Sequence, residues 1–196
     1  NRIMAPFAKV VTVAFEKSMK AFPGEKSRWI GNPVREDILH NNHRESLEYF
    51  NFTNEKPILL VLGGGTGAAR ISELVRESLS ELLKFCQVIH LTGQRKGSVV
   101  EDRSGYREYP LLTEGMAHAY AAADLVVSRA GMGTLTELAA LAKPAIIIPM
   151  PDTHQEKNVE IFESTNAVQF LRQQTLTPER FTETIRHSFE HLDELR

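Results

Sequence analysis

The sequence predicts an α/β domain, an open doubly wound parallel sheet with helices on both faces, and three features carry that reading. Apolar runs alternate with helix-period segments over most of the length. The runs lack the polar alternation of half-solvated strands, so both faces of the sheet must be covered. Right-handed crossovers then distribute the helices to the two sides.

Taken in order, "KVVTVAFE" at Lys9–Glu16 reads as one strand. "FPGEKSRWIGNPVR" follows with turn signals at Pro23-Gly24 and Asn32-Pro33 and reads as a linker. The domain proper is expected to begin near Lys56. "PILLVLGG" is a continuous apolar strand. Behind it, Ile71, Leu74, Val75, Leu79, Leu82 and Leu83 recur by threes and fours, one amphipathic helix. The alternation continues with "QVIHLTG" as strand, a polar stretch, "REYPLL" as strand and "EGMAHAYAAA" as helix. "DLVVSRA", "PAIIIPM" and "AVQFLR" read as further strands, with "GTLTELAALA" and "QEKNVEIFESTN" as the helices between them. Thr177 followed by Pro178 is a start signal for a last helix, "TPERFTETIRHSFEHLDEL".

The 196 residues, 42% hydrophobic and 24% charged, suffice for one sizeable core. With 23 Lys+Arg against 25 Asp+Glu, overall charge makes no case for nucleic acid. The single cysteine, Cys86, has no internal disulfide partner and reads as a small buried hydrophobe, which fits a reducing cytoplasm. No apolar run approaches the roughly 20 residues of a membrane span and no signal-peptide pattern opens the chain, so the expectation is a soluble or at most peripheral protein. The chain opens at Asn1 without an initiator methionine and ends inside a helical pattern, so both ends are expected to be cuts.

In an open parallel sheet ligands bind beyond the carboxyl ends of the strands, and four loops there carry chemistry. In "VLGGGTGAARI" the glycines at Gly63, Gly64, Gly65 and Gly67, with Thr66, bring backbone N–H groups and a helix start against an anion, or serve only close strand–helix packing. The loop lacks the Lys-Ser or Lys-Thr of Walker A, and no acidic residue at the end of the next strand supports a nicotinamide dinucleotide. "SRAGMGTLTE" repeats the strand–glycine–helix pattern; Glu137 either accepts ribose hydroxyls or closes a capping box on Thr134. Gln155 and Asn158 in "HQEKN" share a helix face, as sugar ligands or as solvated amides. Arg35 in "GNPVR" is a ligand donor or a surface charge. Two phosphate-compatible turns in one sheet point to a nucleotide diphosphate across the strand ends.

"GNPVR", the glycine loop, "AAADLVVSRAGMGTLTELAALAKPAIIIPMP" and "HQEKN", in this order, resemble the C-terminal half of the MurG-type transferases, inverting GT-B glycosyltransferases of bacterial peptidoglycan synthesis. The resemblance runs from about Ala5 to Gln174. It implies a Rossmann-like donor-binding domain at residues 56–196, a linker and first helix at 31–55, and the tail of an acceptor domain at 1–30. It implies UDP-N-acetylglucosamine as donor, no cofactor and no metal. By resemblance Glu137 holds the ribose, and Arg35 with the backbone near Leu112 and Thr113 meets the uracil. Gly64, Gly65 and Thr66 meet the diphosphate; Met132, Gly133 and Gln155 meet the sugar, with Asn158 supporting that loop. Two positions depart from the family pattern: Gly65-Thr66 stands where the family usually has Ser-Gln, and Leu112 where it often has an aromatic residue.

The implied reaction passes N-acetylglucosamine to lipid-linked N-acetylmuramoyl-pentapeptide, at the cytoplasmic face of the membrane. The acceptor site and general base are expected in the domain of which residues 1–30 are the tail, so no catalytic residue is assigned here and the fragment alone is expected to turn over poorly. A diacylglycerol-type glycolipid glycosyltransferase and a nucleotide-sugar-binding subunit of a split glycosyltransferase are the alternatives. His154 flanks Gln155 and is a candidate for the sugar or a phosphate. His187 and His191 are spaced as metal ligands, but no acidic or cysteine partner is evident and an exposed pair is expected. His118 is expected on a helix face.

Overall fold

The computed structural model of the chain describes residues 3–22, 24–63, 69–93, 102–162 and 168–195, in two units, Asn1–Val34 and Arg35–Arg196. In the first unit β1 (Val11–Val13) and β2 (Ser27–Trp29) form a parallel pair, with Val11 opposite Ser27 and Val13 opposite Trp29. Lys26 Nζ donates to Pro6 O at 2.8 Å and Trp29 Nε1 to Ala14 O at 3.2 Å. The stretch expected to be a linker therefore contains a strand. Its support is pairing with β1, a non-local interaction that turn signals do not reveal.

The second unit begins at Arg35, earlier than Lys56, because α1 (His43–Tyr49) packs on α3 (Met116–Ala122). Asn42 caps α1, its side chain accepting from Arg44 N at 2.8 Å. Tyr49 stacks on His118 with ring centroids 4.6 Å apart, and Ser46 Oγ lies 3.0 Å from His118 Nδ1. His118 is thus a packing residue between two helices.

The other elements follow the predicted alternation: β3 (Ile58–Leu62), α2 (Ala69–Phe85), β4 (Gln87–Leu91), β5 (Asp102–Arg103), β6 (Tyr106–Tyr109), β7 (Leu125–Ser128), α4 (Met132–Ala140), β8 (Ala145–Ile147), α5 (His154–Phe162), β9 (Val168–Phe170) and α6 (Pro178–Glu190). Among the described residues the main sheet has the order β5-β6-β4-β3-β7-β8-β9, with β5 antiparallel to β6 and every other pair parallel. The two-residue β5 is an addition to the expected set, too short to show a period. Thr177 caps α6 as expected, accepting from Arg180 N at 3.3 Å, and Pro178 is its first residue.

Alternation along the buried strands sends Leu59, Val61, Val88, Leu125, Val127 and Ile146 to the face covered by α2 and α6. The α2 stripe of Ile71, Leu74, Val75, Leu79 and Leu82 meets Phe181 and Ile185 of α6 there. Cys86 joins this core; burial pushes its thiol up to about 12, which keeps it protonated and inert, as expected of a buried hydrophobe. Among the described residues no helix is long and apolar enough to cross a membrane.

One polar chain crosses the same face. Tyr106 OH donates to Glu108 Oε2 at 2.7 Å, so it accepts from His90 Nδ1–H at 2.8 Å. His90 Nε2 is then the acceptor for Ser72 Oγ at 3.1 Å, and Arg76 Nη2 donates to Glu108 Oε1 at 3.0 Å. Burial first, and the Arg76 charge second, take the His90 imidazole down to about 3.

The unfolded chain takes up a proton at His90 below about pH 6.5, and the native chain does not until near pH 3. This contribution to stability is complete above pH 6.5 and is lost as pH falls through that window. Between pH 7 and pH 5 the unfolding free energy from urea titration should drop by about 2 kcal/mol more in the parent than in His90→Gln. Parallel pH dependences would show that His90 is protonated in the native state.

Candidate functional site

The strand order places a topological switch point between β3 and β7. From β3 the chain moves outward to β4 and β6, then returns to β7 on the other side of β3. At such a switch point the connections of neighbouring strands generally leave to opposite sides of the sheet, which opens a crevice at the strand ends. A cleft of about 340 Å³ lies there, lined by Leu62, Leu91, Met116, Tyr120, Ser128, Arg129, Gly131, Thr134, Glu137 and Gln155.

At the end of β3, Gly63 N donates to Leu91 O at 2.7 Å. A Cβ on Gly63 would sit 2.6 Å from that oxygen and 3.0 Å from Ser72 Oγ, so this glycine is required by packing. Gly64, Gly65 and Thr66, the expected diphosphate ligands, lie outside the described residues.

At the end of β7 the glycines serve differently. Gly131 caps α4 without a side-chain bond, so the helix begins at Met132 with its first N–H groups turned to the strand ends. A Cβ on Gly133 would meet nothing within 4 Å, and its φ is not in the left-handed region. The packing of the chain itself does not require that glycine.

The capping-box alternative for Glu137 does not hold. Thr134 is the third residue of α4 rather than its cap, because the helix starts at Met132, with Gly131 in the cap position. Instead, Glu137 Oε2 accepts from Tyr120 OH at 2.8 Å and Oε1 from Arg35 Nε at 3.3 Å. Its side chain is 20% exposed and that of Arg35 46% exposed, so this ion pair adds little stability and serves to aim the carboxylate. Burial, and then the bond to Glu137, raise the Tyr120 hydroxyl far above its ordinary value, which makes it a permanent donor.

The loop after β8 is locked by its own amides. Gln155 Oε1 accepts from Met150 N at 3.0 Å, Thr153 Oγ1 donates to Met150 O at 2.8 Å, and Asn158 Nδ2 donates to Ala130 O at 2.9 Å. Asn158 thus ties this loop to the glycine turn after β7, while Gln155 lines the cleft. His154 is exposed at the start of α5, and Leu112 and Thr113 follow β6; the cleft lining does not include these three.

Arg129 and Tyr120 are among the lining residues that carry no sequence assignment. Arg129 is 7% exposed, its Nη1 donating to Ile148 O at 3.0 Å and its Nη2 to Gln173 Oε1 at 2.5 Å. It brings a cation to the cleft floor, and a charge in the first loop position after an apolar strand was a signal available in "LVVSR". Tyr120 had none, since its approach to Glu137 depends on how α3 and α4 meet.

Comparison with known proteins adds the following. Residues 58–195 match the model of the glycosyltransferase family 28 C-terminal domain. The chain is 36% identical over 198 residues to a UDP-N-acetylglucosamine–N-acetylmuramyl-(pentapeptide) pyrophosphoryl-undecaprenol N-acetylglucosamine transferase of Lachnoclostridium phytofermentans, covering 97% of this chain and 55% of that protein. It is 35% identical over 185 residues to the transferase of the same name from Clostridium kluyveri, covering 91% of this chain and 52% of that protein. The chain therefore spans about half the length of these relatives. Its fold is similar to the crystal structure of Acinetobacter baumannii MurG, with a TM-score of 0.67, 24% identity, and coverage of 100% of this chain and 55% of that one. The calicheamicin glycosyltransferase CalG4 is similar at a TM-score of 0.66 and 16% identity, covering 96% of this chain and 46% of that one.

The two kinds of glycine separate under substitution. Gly63→Ala drives a Cβ into a backbone oxygen and should cost about 1–3 kcal/mol of unfolding free energy, whereas Gly133→Ala should leave it within about 0.5 kcal/mol. Urea titration of both variants checks this; equal losses would refute the distinction.

Proposed function

The chain belongs to the glycosyltransferase family 28 C-terminal domain family, with the doubly wound fold of the C-terminal domain of GT-B glycosyltransferases, and from that premise we propose that its switch-point cleft holds the donor UDP-N-acetylglucosamine. The observation that carries this reading is the conjunction at one crevice of a helix start at which Gly131 caps α4 without a side chain and an aimed carboxylate at Glu137.

The N–H groups at the start of α4 donate to the negatively charged oxygens of the diphosphate, aided by the positive end of the helix and by the cation of Arg129 on the cleft floor. The turn after β3 contributes through Gly64, Gly65 and Thr66, as the family resemblance assigns. Glu137 accepts the two ribose hydroxyls, and Arg35, already bonded to that carboxylate, lies beside the nucleoside. Leu112 and Thr113 meet the uracil with their backbone. Gln155, whose oxygen is engaged by Met150 N, presents its NH2 group to the sugar together with the Met132–Gly133 turn, and Asn158 holds that turn in place.

In the transfer, the acceptor C4 hydroxyl attacks the anomeric carbon from the face opposite the UDP, the glycosidic bond to phosphate breaks, and the configuration inverts. Charge grows on the leaving diphosphate, and donors fixed before the reaction stabilise it at no reorganisation cost. The acceptor is lipid-linked N-acetylmuramoyl-pentapeptide at the cytoplasmic face of a bacterial membrane. Its proton passes to a general base outside the donor cleft, so binding of the donor, rather than turnover, is the activity to measure on this chain.

Calorimetric titration with UDP should show Glu137→Ala weakened by about 1–3 kcal/mol, the worth of hydrogen bonds to a charged group. Tyr120→Phe keeps the carboxylate but frees its aim and should cost about 0.5–1.5 kcal/mol with the fold intact. Unchanged affinity in Glu137→Ala would remove the ribose role.

A further inference from the structure

The last turn of α6 groups three ligating side chains that the donor site does not use. His187, Glu190 and His191 each place one ligand atom within 4.8 Å of the others, on the single face that i, i+3 and i+4 spacing defines. The sequence reading left the two histidines without an acidic partner; the helix supplies one in Glu190.

The His191 ring is already set for coordination. Its Nδ1 lies 2.8 Å from His187 O, and a carbonyl oxygen only accepts, so Nδ1 carries the hydrogen. Nε2 therefore keeps its lone pair. A backbone carbonyl fixing the tautomer in this way is the outer-shell contact that metal-bound histidines commonly make. The two imidazole rings are in contact, with centroids 4.1 Å apart and planes tilted by 46°. Zinc–nitrogen bonds of about 2.0–2.1 Å hold two donors at most about 4.2 Å apart, and His187 and Glu190, both exposed, close that gap by side-chain rotation. The carbonyl end of the helix adds negative potential at the same point.

We propose that His187, Glu190 and His191 form a surface site for a divalent transition metal of the zinc, nickel or copper type. Two imidazoles and one carboxylate suit these ions, whereas magnesium and calcium require oxygen ligands. Water completes the coordination. The site lies beside Phe85, the last residue of α2 just before β4 begins: Phe189 packs edge-on against Phe85 with centroids 6.3 Å apart, and the Arg186 guanidinium covers the same ring at 4.2 Å. It is therefore at the amino ends of the strands, away from the cleft at their carboxyl ends. An ion there clamps the last turn of α6, the helix that closes one face of the core.

The test is calorimetric titration of the metal-free chain with zinc, nickel and magnesium chlorides, beside melting curves with and without zinc. The expected result is one zinc ion per chain at micromolar affinity or tighter, no magnesium binding, and a melting midpoint that rises with zinc concentration. His187→Ala and His191→Ala should each weaken zinc at least about tenfold, with UDP affinity the same in both. Should an alanine variant lose its far-ultraviolet helix signal, His187→Gln carries the same expectation. Absence of zinc binding, or binding that survives in the folded His187 and His191 variants, overturns the proposal.

Discussion

The rest of the second unit depends on how the start of α2 is held to the sheet. Ser72 and Arg76 enter the two ends of a chain through His90, Tyr106 and Glu108, and each donor in it finds one acceptor. Glu108 is 3% exposed, so its charge is tolerable only because Tyr106 and Arg76 both donate to it. An uncompensated carboxylate at that depth costs several kcal/mol, which is why the chain acts as one unit rather than as separate bonds. Its register is specific: sliding α2 by one residue would break Ser72 from His90 and Arg76 from Glu108 together.

This anchoring sets the strand ends. Ser72 Oγ stands 3.0 Å from where a Gly63 Cβ would be, so Gly63 passes between the helix and Leu91 O with no room to spare. Ser72 of α2 and the end of β3 are thereby brought together at the switch point between β3 and β7. On the β7 side the logic is the opposite, since space around Gly133 is left open and Asn158 braces the turn from the next loop. A rigid wall and an open, braced turn face each other across the cleft. Glu137 between them is aimed before any ligand arrives, which lowers the ordering cost of binding.

Most of this architecture was legible in the residues. Buried parallel strands announce themselves as unbroken apolar runs, and the α2 stripe and the Thr177-Pro178 start signal are local patterns that need no tertiary knowledge. The misses were non-local. β2 hides in a stretch with turn signals because only its pairing with β1 makes it a strand. Residues 31–55 read as linker and first helix, outside the domain proper, because the hold of α1 on the second unit is a stacked Tyr49–His118 pair from distant parts of the chain. In the cleft, Glu137 and Gln155 could be picked out by spacing, but the two readings of Glu137 were separable only by where α4 begins. Tyr120 was invisible because no periodicity encodes the meeting of two helices, and Glu190 was passed over although its i+3 relation to His187 stood in the sequence.

The central claim is that the switch-point cleft, and not another hollow of the surface, receives the nucleotide sugar. An amide chemical-shift map of the isotope-labelled chain titrated with UDP-N-acetylglucosamine tests it most directly. The account predicts the largest displacements at Leu62 and Gly63, along Ser128–Gly133, and at Glu137 and Gln155, with Lys56 and Gln87 at the opposite ends of the strands unmoved. Displacements centred instead on the hollow bounded by Asn51, Lys56, Gln87 and Arg107, or none at all, would contradict it.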